Sequence, residues 1–538
     1  MLNILKDKYK LIIGLAVLWQ LISIALVSVG VWSQLVAVAN LFLLGILFVI
    51  LPRVNALGLF LLSLPFMIAL PGVYISALVG MPMWRLLVIW LFVVALAKYV
   101  IDLTRAGSKG RDFSITREIK TFWKERLQVW DKWLLVLLGL GVLSLLVARY
   151  PTHGLKQIIF IINIYLLYLI YLLVVETSEH YKSLLLYLKY SLLITVLLGF
   201  VQYVLSLFYT PYYFWQYWAT LVSSSYYGKS LAEVLAYSNS WFSADGGGQS
   251  LRMFGILQDT HAFSVIVIFA LAFFLAKSFS KEIFKSWKFW LGLVALCFAI
   301  IASGTRGVWL SMLAPAVVVI FLMIHYKVRV LAILPLISYG LVIILFVLSP
   351  FISMGLNWVR TVNSDDNFLE RAGSIYDLDE SSNVGRLEIW KSSLDYAIHH
   401  PLGTGYGNFI SSIADTKNES FEQVADQKNL RFNLPQKFIT AHSLYLHLLV
   451  ELGLLGLMAF GAIWLGFFKK VWTYLRSVKF ESTDQSQLLL NIGLALIWLL
   501  AYGLFDVTIL NERVLLYLMA LMAVVNFLLR NKQLTSSK

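Results

Sequence analysis

The chain has 538 residues, of which 60% are hydrophobic and 13% charged, and its mean hydropathy is +0.79. A water-soluble fold of this size cannot hide so much apolar surface. The composition therefore excludes a cytosolic enzyme, a disordered chain and a nucleic-acid-binding domain, and points to an all-α polytopic membrane bundle. The net charge of +14 matters less than where the lysines and arginines fall, and the single Cys297 excludes an internal disulfide framework.

A membrane span needs about 20 mostly apolar residues. Such runs predict about fourteen transmembrane helices, near 11–29, 32–51, 56–77, 84–101, 132–149, 155–175, 183–208, 260–278, 288–303, 307–325, 330–352, 443–468, 487–508 and 513–530. The first run follows Lys6, Lys8 and Lys10 and is too long for a signal peptide, so it reads as a retained start-transfer helix. Basic residues concentrate before it, between 98 and 132, between 277 and 288, between 469 and 479, and after 529. That bias predicts both termini in the cytoplasm. The resulting plan is N-terminal transmembrane helices at 1–208, a first long extracytoplasmic loop at 209–259, central helices at 260–352, a second long extracytoplasmic loop at 353–442, and C-terminal helices at 443–538. Loops of that length in a compact protein are functional or disordered, and their aromatic content predicts order. The inner segment 102–131 reads as an amphipathic helix on the inner leaflet.

Four stretches carry candidate chemistry, all on the predicted outer side. They are Leu251-Arg252-Met253-Phe254-Gly255, Ser303-Gly304-Thr305-Arg306-Gly307, a long one from Gly385-Arg386 to Asn408-Phe409, and Ala441-His442-Ser443-Leu444-Tyr445. Arginines at span ends commonly snorkel to the headgroups. Arg306, however, sits between Gly304 and Gly307, where the backbone can turn sharply and admit a ligand, and a guanidinium there can grip a phosphate through two parallel hydrogen bonds. His442 opens a helix, and the positive end of a helix disfavours the imidazolium, which suits a general base. Tyr445 shares its face of that helix. His447 and Glu451, spaced i, i+4, read as a structural pair. Adjacent His399 and His400 lack metal-ligand spacing. The glycines at 403, 405 and 407 lack the lysine of a phosphate loop and read as a tight turn. Asp245-Gly246-Gly247-Gly248 reads as a flexible hinge, and Asp506 and Arg513, flanking the last outer turn, are expected to pair.

Together these stretches resemble the O-antigen ligase and O-antigen polymerase family. The resemblance is carried by Arg386 and Trp390, by His-Pro-Leu-Gly-Thr-Gly-Tyr-Gly-Asn-Phe at 400–409, by Ala441-His442-Ser443-Leu444-Tyr445-Leu446, and by Glu451-Leu452-Gly453-Leu454-Leu455-Gly456. The Arg252 and Arg306 stretches also look like that family, although Gln258-Asp259-Thr260-His261 stands where the family continues to a Pro-Asn pair. The resemblance implies a GT-C-type inverting glycosyltransferase of the bacterial inner membrane, active on its extracytoplasmic side and needing no metal or cofactor. The donor would be a glycan on undecaprenyl diphosphate. The acceptor would be lipid A–core of lipopolysaccharide, another lipid-linked glycan, or a protein. By the same resemblance, Arg252 and Arg306 hold the donor diphosphate, His442 serves the acceptor, and Arg386 and Tyr445 support the site.

A ligase and a polymerase extending lipid-linked repeat units both remain open at this stage. A transporter of lipid-linked glycans is the reading from another class. It predicts ionisable residues near the bilayer midplane, but away from the span ends only Lys189 and the His447–Glu451 pair are ionisable candidates, and the arginines of interest sit at the rim. No internal repeat or matched pair of broken helices favours it.

Overall fold

The computed structural model describes residues 2–31, 33–67, 82–107, 120, 122–218, 241–245, 248–257, 259–276, 285–326, 329–357, 381–409, 412, 440–478 and 483–530. The protein is an all-α bundle to which one short hairpin is added. In chain order the described elements are α1 (Leu2–Ser28), α2 (Ser33–Ile50), α3 (Arg53–Ser63), α4 (Trp84–Gly107), α5 (Val129–Ser144), α6 (Pro151–Val174), α7 (Ser178–Leu205) and α8 (Pro211–Tyr217). The strands β1 (Phe242–Asp245) and β2 (Gly248–Leu251) follow. Then come α9 (Thr260–Phe274), α10 (Trp287–Ala302), α11 (Arg306–Ser311), α12 (Leu313–Tyr326), α13 (Arg329–Val347), α14 (Ser349–Asn357), α15 (Ser381–His399), α16 (Leu444–Ser477), α17 (Asp484–Tyr502) and α18 (Glu512–Arg530).

Among the described residues, eight helices are long and apolar enough to cross a membrane, with shorter apolar helices between them. That makes the chain a multi-pass membrane protein. Each run expected to span overlaps a helix, and two boundaries differ usefully from expectation. The run placed at 487–508 is helical only to Tyr502, so Asp506 lies in the turn beyond it. The run at 56–77 is helical through Ser63, with a tighter turn at Leu64–Phe66 where Pro65 interrupts the ladder; residues 68–81 lie outside the described residues. The expected helix over 102–131 also lies largely outside them, apart from the end of α4 and a short helical turn at Phe122–Arg126.

Helices α17 and α18 form the centre. Of the apolar window of α18, 94% is buried inside the protein, against 28% for α4, whose outward face is left to lipid. Several polar groups within the bundle pair with one another, as an apolar surround favours. Asp131 accepts hydrogen bonds from the Tyr165 and Tyr168 hydroxyls, at 3.2 and 3.0 Å, and Asn526 donates to Tyr168 at 2.6 Å. Arg53 meets Asp102 at 3.0 Å and Glu176 at 3.6 Å.

The hairpin pairs Asp245 with Gly248 and Phe242 with Leu251. The stretch expected to be a hinge is therefore, in its described part, the end of a β-ribbon, and residues 246–247 lie outside the described residues. The ribbon delivers the chain to the bundle. Met253 N donates to Ala302 O, at the end of α10, at 2.9 Å. Gln202 of α7 accepts from the backbone N–H groups of Phe254 and Gly255, both at 3.0 Å.

Candidate active site

Two structures are built at one end of the bundle from the stretches singled out above. The first is a backbone clamp. Helix α16 breaks at Gly453, whose φ of 64° and ψ of −169° lie outside the helical region. A break frees the carbonyls one turn earlier. The glycine-rich turn supplies the missing donors: Thr404 N reaches Val450 O at 2.8 Å and Gly405 N reaches Glu451 O at 3.0 Å. Glycine is required on both sides of the contact. A Cβ on Gly453 would lie 2.1 Å from Pro401 O, and one on Gly403 would lie 2.5 Å from Glu451 O. The expected His447–Glu451 pair is present at 3.6 Å, both side chains buried, and Glu451 also accepts from Phe409 N at 3.1 Å. Asn408 extends the clamp to the start of α6, accepting from Tyr150 N at 2.8 Å. His399 and His400 each turn Nδ1 to the carbonyl four residues back, at 2.8 and 3.1 Å.

The second structure is a charged cluster. The turn after α10 places Gly304 at a φ of 65°, and a Cβ there would lie 3.0 Å from Cδ of Arg252. The arginine side chain thus lies across the glycine turn, a contact only a residue without a side chain permits. Hydroxyls fix the turn against α9, with Ser264 Oγ 2.8 Å from Ser303 Oγ and 3.1 Å from Thr305 Oγ1. Arg306, the first residue of α11, follows at once and is half-buried.

His442 arrives from the other side. It is the one described non-glycine residue with a left-handed backbone, at a φ of 47°. Such strain persists only where the surroundings impose it, and it concentrates at functional sites. The surroundings here are specific. Trp390 of α15 donates to Ala441 O at 2.9 Å, Leu444 N donates to Gly503 O at 2.7 Å, and Tyr445 donates its hydroxyl to Leu500 O at 2.7 Å. Tyr445 therefore braces α16 against α17, and its hydroxyl is committed to that carbonyl.

Between the arginines and His442 lie residues that no motif pointed to. His261, in the first turn of α9, hydrogen-bonds through Nδ1 to the Tyr502 hydroxyl and lies 3.7 Å from Asp506 Oδ2. Asp506 accepts from Thr508 Oγ1 at 2.5 Å. It does not pair with Arg513, as the sequence suggested; Arg513 is buried and donates to the carbonyls of Leu64 and Met67. Those carbonyls sit just past the end of α3, where helical partners run out, and they hold the guanidinium away from the turn after α17. Arg252, Arg386 and His442 all act electrostatically on His261, and His442 and Arg386 act on Asp506.

Two carboxyls outside the spans are driven apart by this surround. Asp259 caps α9, accepting from Ala262 N at 2.6 Å. Burial, reinforced by the Asp506 charge, pushes its carboxyl up to about 6. Burial acts the same way on Asp506, but His261, His442, Thr508 and Arg386 outweigh it and hold that carboxyl below its ordinary range. A cleft that separates two carboxyls in this way is equipped for proton chemistry. An apolar cavity of about 110 Å³ lies elsewhere, between α5, α6, α16 and α18. Its walls offer no cation to a phosphate, so the charged cluster is the better candidate site.

Residues 291–461 match the O-antigen ligase family. No curated protein matches the chain. The O-antigen ligase match takes in the Gly304 turn, Arg306, Arg386, the glycine clamp and His442. Arg252, His261 and Asp506 fall outside it and join the cluster only through the fold.

Proposed function

We propose that the protein transfers a glycan from undecaprenyl diphosphate to an acceptor hydroxyl, as an O-antigen ligase, on the extracytoplasmic side of a bacterial inner membrane. The single observation that carries this reading is the convergence of Arg252, Arg386 and His442 on one half-buried cluster beside the Gly304 turn. The same reading keeps fourteen spans, cytoplasmic termini, and the 209–259 and 353–442 loops outside.

The chemistry follows from the charges. The acceptor oxygen attacks the anomeric carbon, its proton passes to His442, and the bond from the anomeric carbon to the phosphate oxygen breaks with inversion. The leaving diphosphate gains negative charge, which Arg252 and Arg306 meet as fixed cations without a metal. Arg386 adds positive charge beside them, and Tyr445 keeps His442 in place through α17. A positioned base of this kind contributes about 10²–10⁴-fold.

The test is transfer by purified protein supplied with lipid-linked glycan from native membranes, with EDTA present. One shifted product band that needs an added acceptor is the expected result, and His442→Ala should abolish it with the melting temperature unchanged. A ladder formed without added acceptor would make the protein a polymerase. Full activity in His442→Ala, or dependence on a divalent metal, would overturn the assignment.

A further inference from the structure

His261 has no part in the reaction as derived above, yet it occupies the middle of the cluster. It is a histidine in the first turn of an apolar helix, where lipid-facing function would not ask for one. Its ring runs nearly parallel to that of Tyr502, with 13° between the planes and 6.3 Å between centroids. Nδ1 faces both the Tyr502 hydroxyl and the Asp506 carboxylate. The charged and titratable groups around it come from every neighbouring element: Asp259 from its own cap, Arg252 from the segment after β2, Arg386 from α15, His442 from the lead into α16, and Tyr502 and Asp506 from α17 and the turn beyond it. Asp506 therefore stands close to one imidazole, His261 at 3.7 Å, and feels a second, His442, electrostatically.

We infer that His261 is a positioning residue, which anchors the Asp506 carboxylate and the Tyr502 hydroxyl so that a fixed counter-charge faces His442 when it accepts the proton. The inference rests on the transfer reaction proposed above. The need is physical. A base that becomes a cation in a half-buried site is stabilised by a carboxylate only if that carboxylate is held still, since a mobile one would turn to the nearest arginine. Thr508 alone gives Asp506 one anchor; His261 gives a second from a different helix. The substitution that removes the anchor is His261→Ala. His261→Asn places an amide N–H close to where Nδ1–H lies and keeps the anchor without a titrating ring.

The experiment measures kcat, KM for the lipid-linked donor and the pH–rate profile for the wild-type protein, His261→Ala, His261→Asn and His442→Ala. Diethyl pyrocarbonate modification of His442, followed against pH by mass spectrometry, runs in parallel and needs no turnover. The expected result for His261→Ala is a kcat lower by roughly tenfold, less than the loss from removing the base itself, with KM unchanged. Its Asp506, freed from that anchor, turns towards an arginine, so the modification midpoint of His442 and the acid limb of the profile both move to lower pH. His261→Asn restores both. An unmoved or raised midpoint, a loss confined to KM, or a failure of the asparagine variant to restore either readout would overturn the inference. Activity surviving in His442→Ala would instead overturn the transfer mechanism, and the modification midpoint would still decide the role of His261.

Discussion

The glycine clamp and the charged cluster lie at the same end of the bundle, and both involve glycines with left-handed backbones. They are built on opposite principles. In the clamp, Gly403, Gly405 and Gly453 let two backbones touch, and the hydrogen bonds run between main-chain groups. In the cluster, Gly304 lets a side chain cross the backbone, and what gathers there is charge. The motif that is loudest in the sequence turns out to be architectural. The residues that surround the candidate base are scattered over five segments, and most have no motif around them.

That contrast can be broken by substitution. The largest effect is expected on the charged side. Arg306→Ala should lower kcat/KM by about 10²-fold with little change in thermal stability, as for removal of one group that stabilises developing charge. Arg306→Lys should recover only part of that loss, because an ammonium cannot make the paired contacts of a guanidinium. If Arg306→Lys were fully active, the diphosphate role would fail. The intermediate effect is expected in the clamp. Gly453→Ala should destabilise the protein by about 1–3 kcal/mol from backbone strain alone, and more from the clash with Pro401 O. It should be read as a lower melting temperature in detergent, with activity lost only in step with folded protein. Gly14→Ala in α1, where a Cβ meets no atom within 4 Å, is the matched control and should melt like the wild type.

The smallest effect is expected within the cluster. Asp259 has two roles there, as a helix cap and as a neighbour of Asp506. Its carboxyl is raised to about 6 in the folded protein from an ordinary value of 3.8. The neutral form is therefore favoured by folding, and its stabilisation is complete below the ordinary value and lost as pH rises through about 6. The wild-type melting temperature should decline between pH 4 and pH 7 by an amount that Asp259→Asn, still able to cap α9, removes. An identical slope in the two proteins would show that Asp259 does not titrate in that range.

Much of the fold was legible because lipid imposes one rule on every segment: about 20 apolar residues and an internally satisfied backbone. The split between the first two helices and the turn at Gly304 could be read from that rule. The His447–Glu451 pair was equally legible, since i, i+4 neighbours on one helix need no tertiary information. Asp506 was visible as a charge near the end of a span, but its partner was not. Sequence proximity suggested Arg513, while the end of α3 takes that arginine and α9 supplies a histidine instead. In the sequence alone, Gln258-Asp259-Thr260-His261 shows only as a departure from a motif. A helix cap followed by a histidine in the first turn of an apolar helix was the available signal.

By itself, then, the sequence determined an all-α membrane bundle and the family pattern around Arg306, Arg386 and His442. Composition and local periodicity carry that information, because burial in lipid is decided residue by residue along each helix. Only the tertiary structure decided that Arg252 crosses Gly304, that Asp506 faces His261 and not Arg513, and that the glycine motif mends a broken helix. Those contacts join segments up to roughly 250 residues apart in the chain, and a pairing between distant segments is set by which helices pack, which no local pattern records.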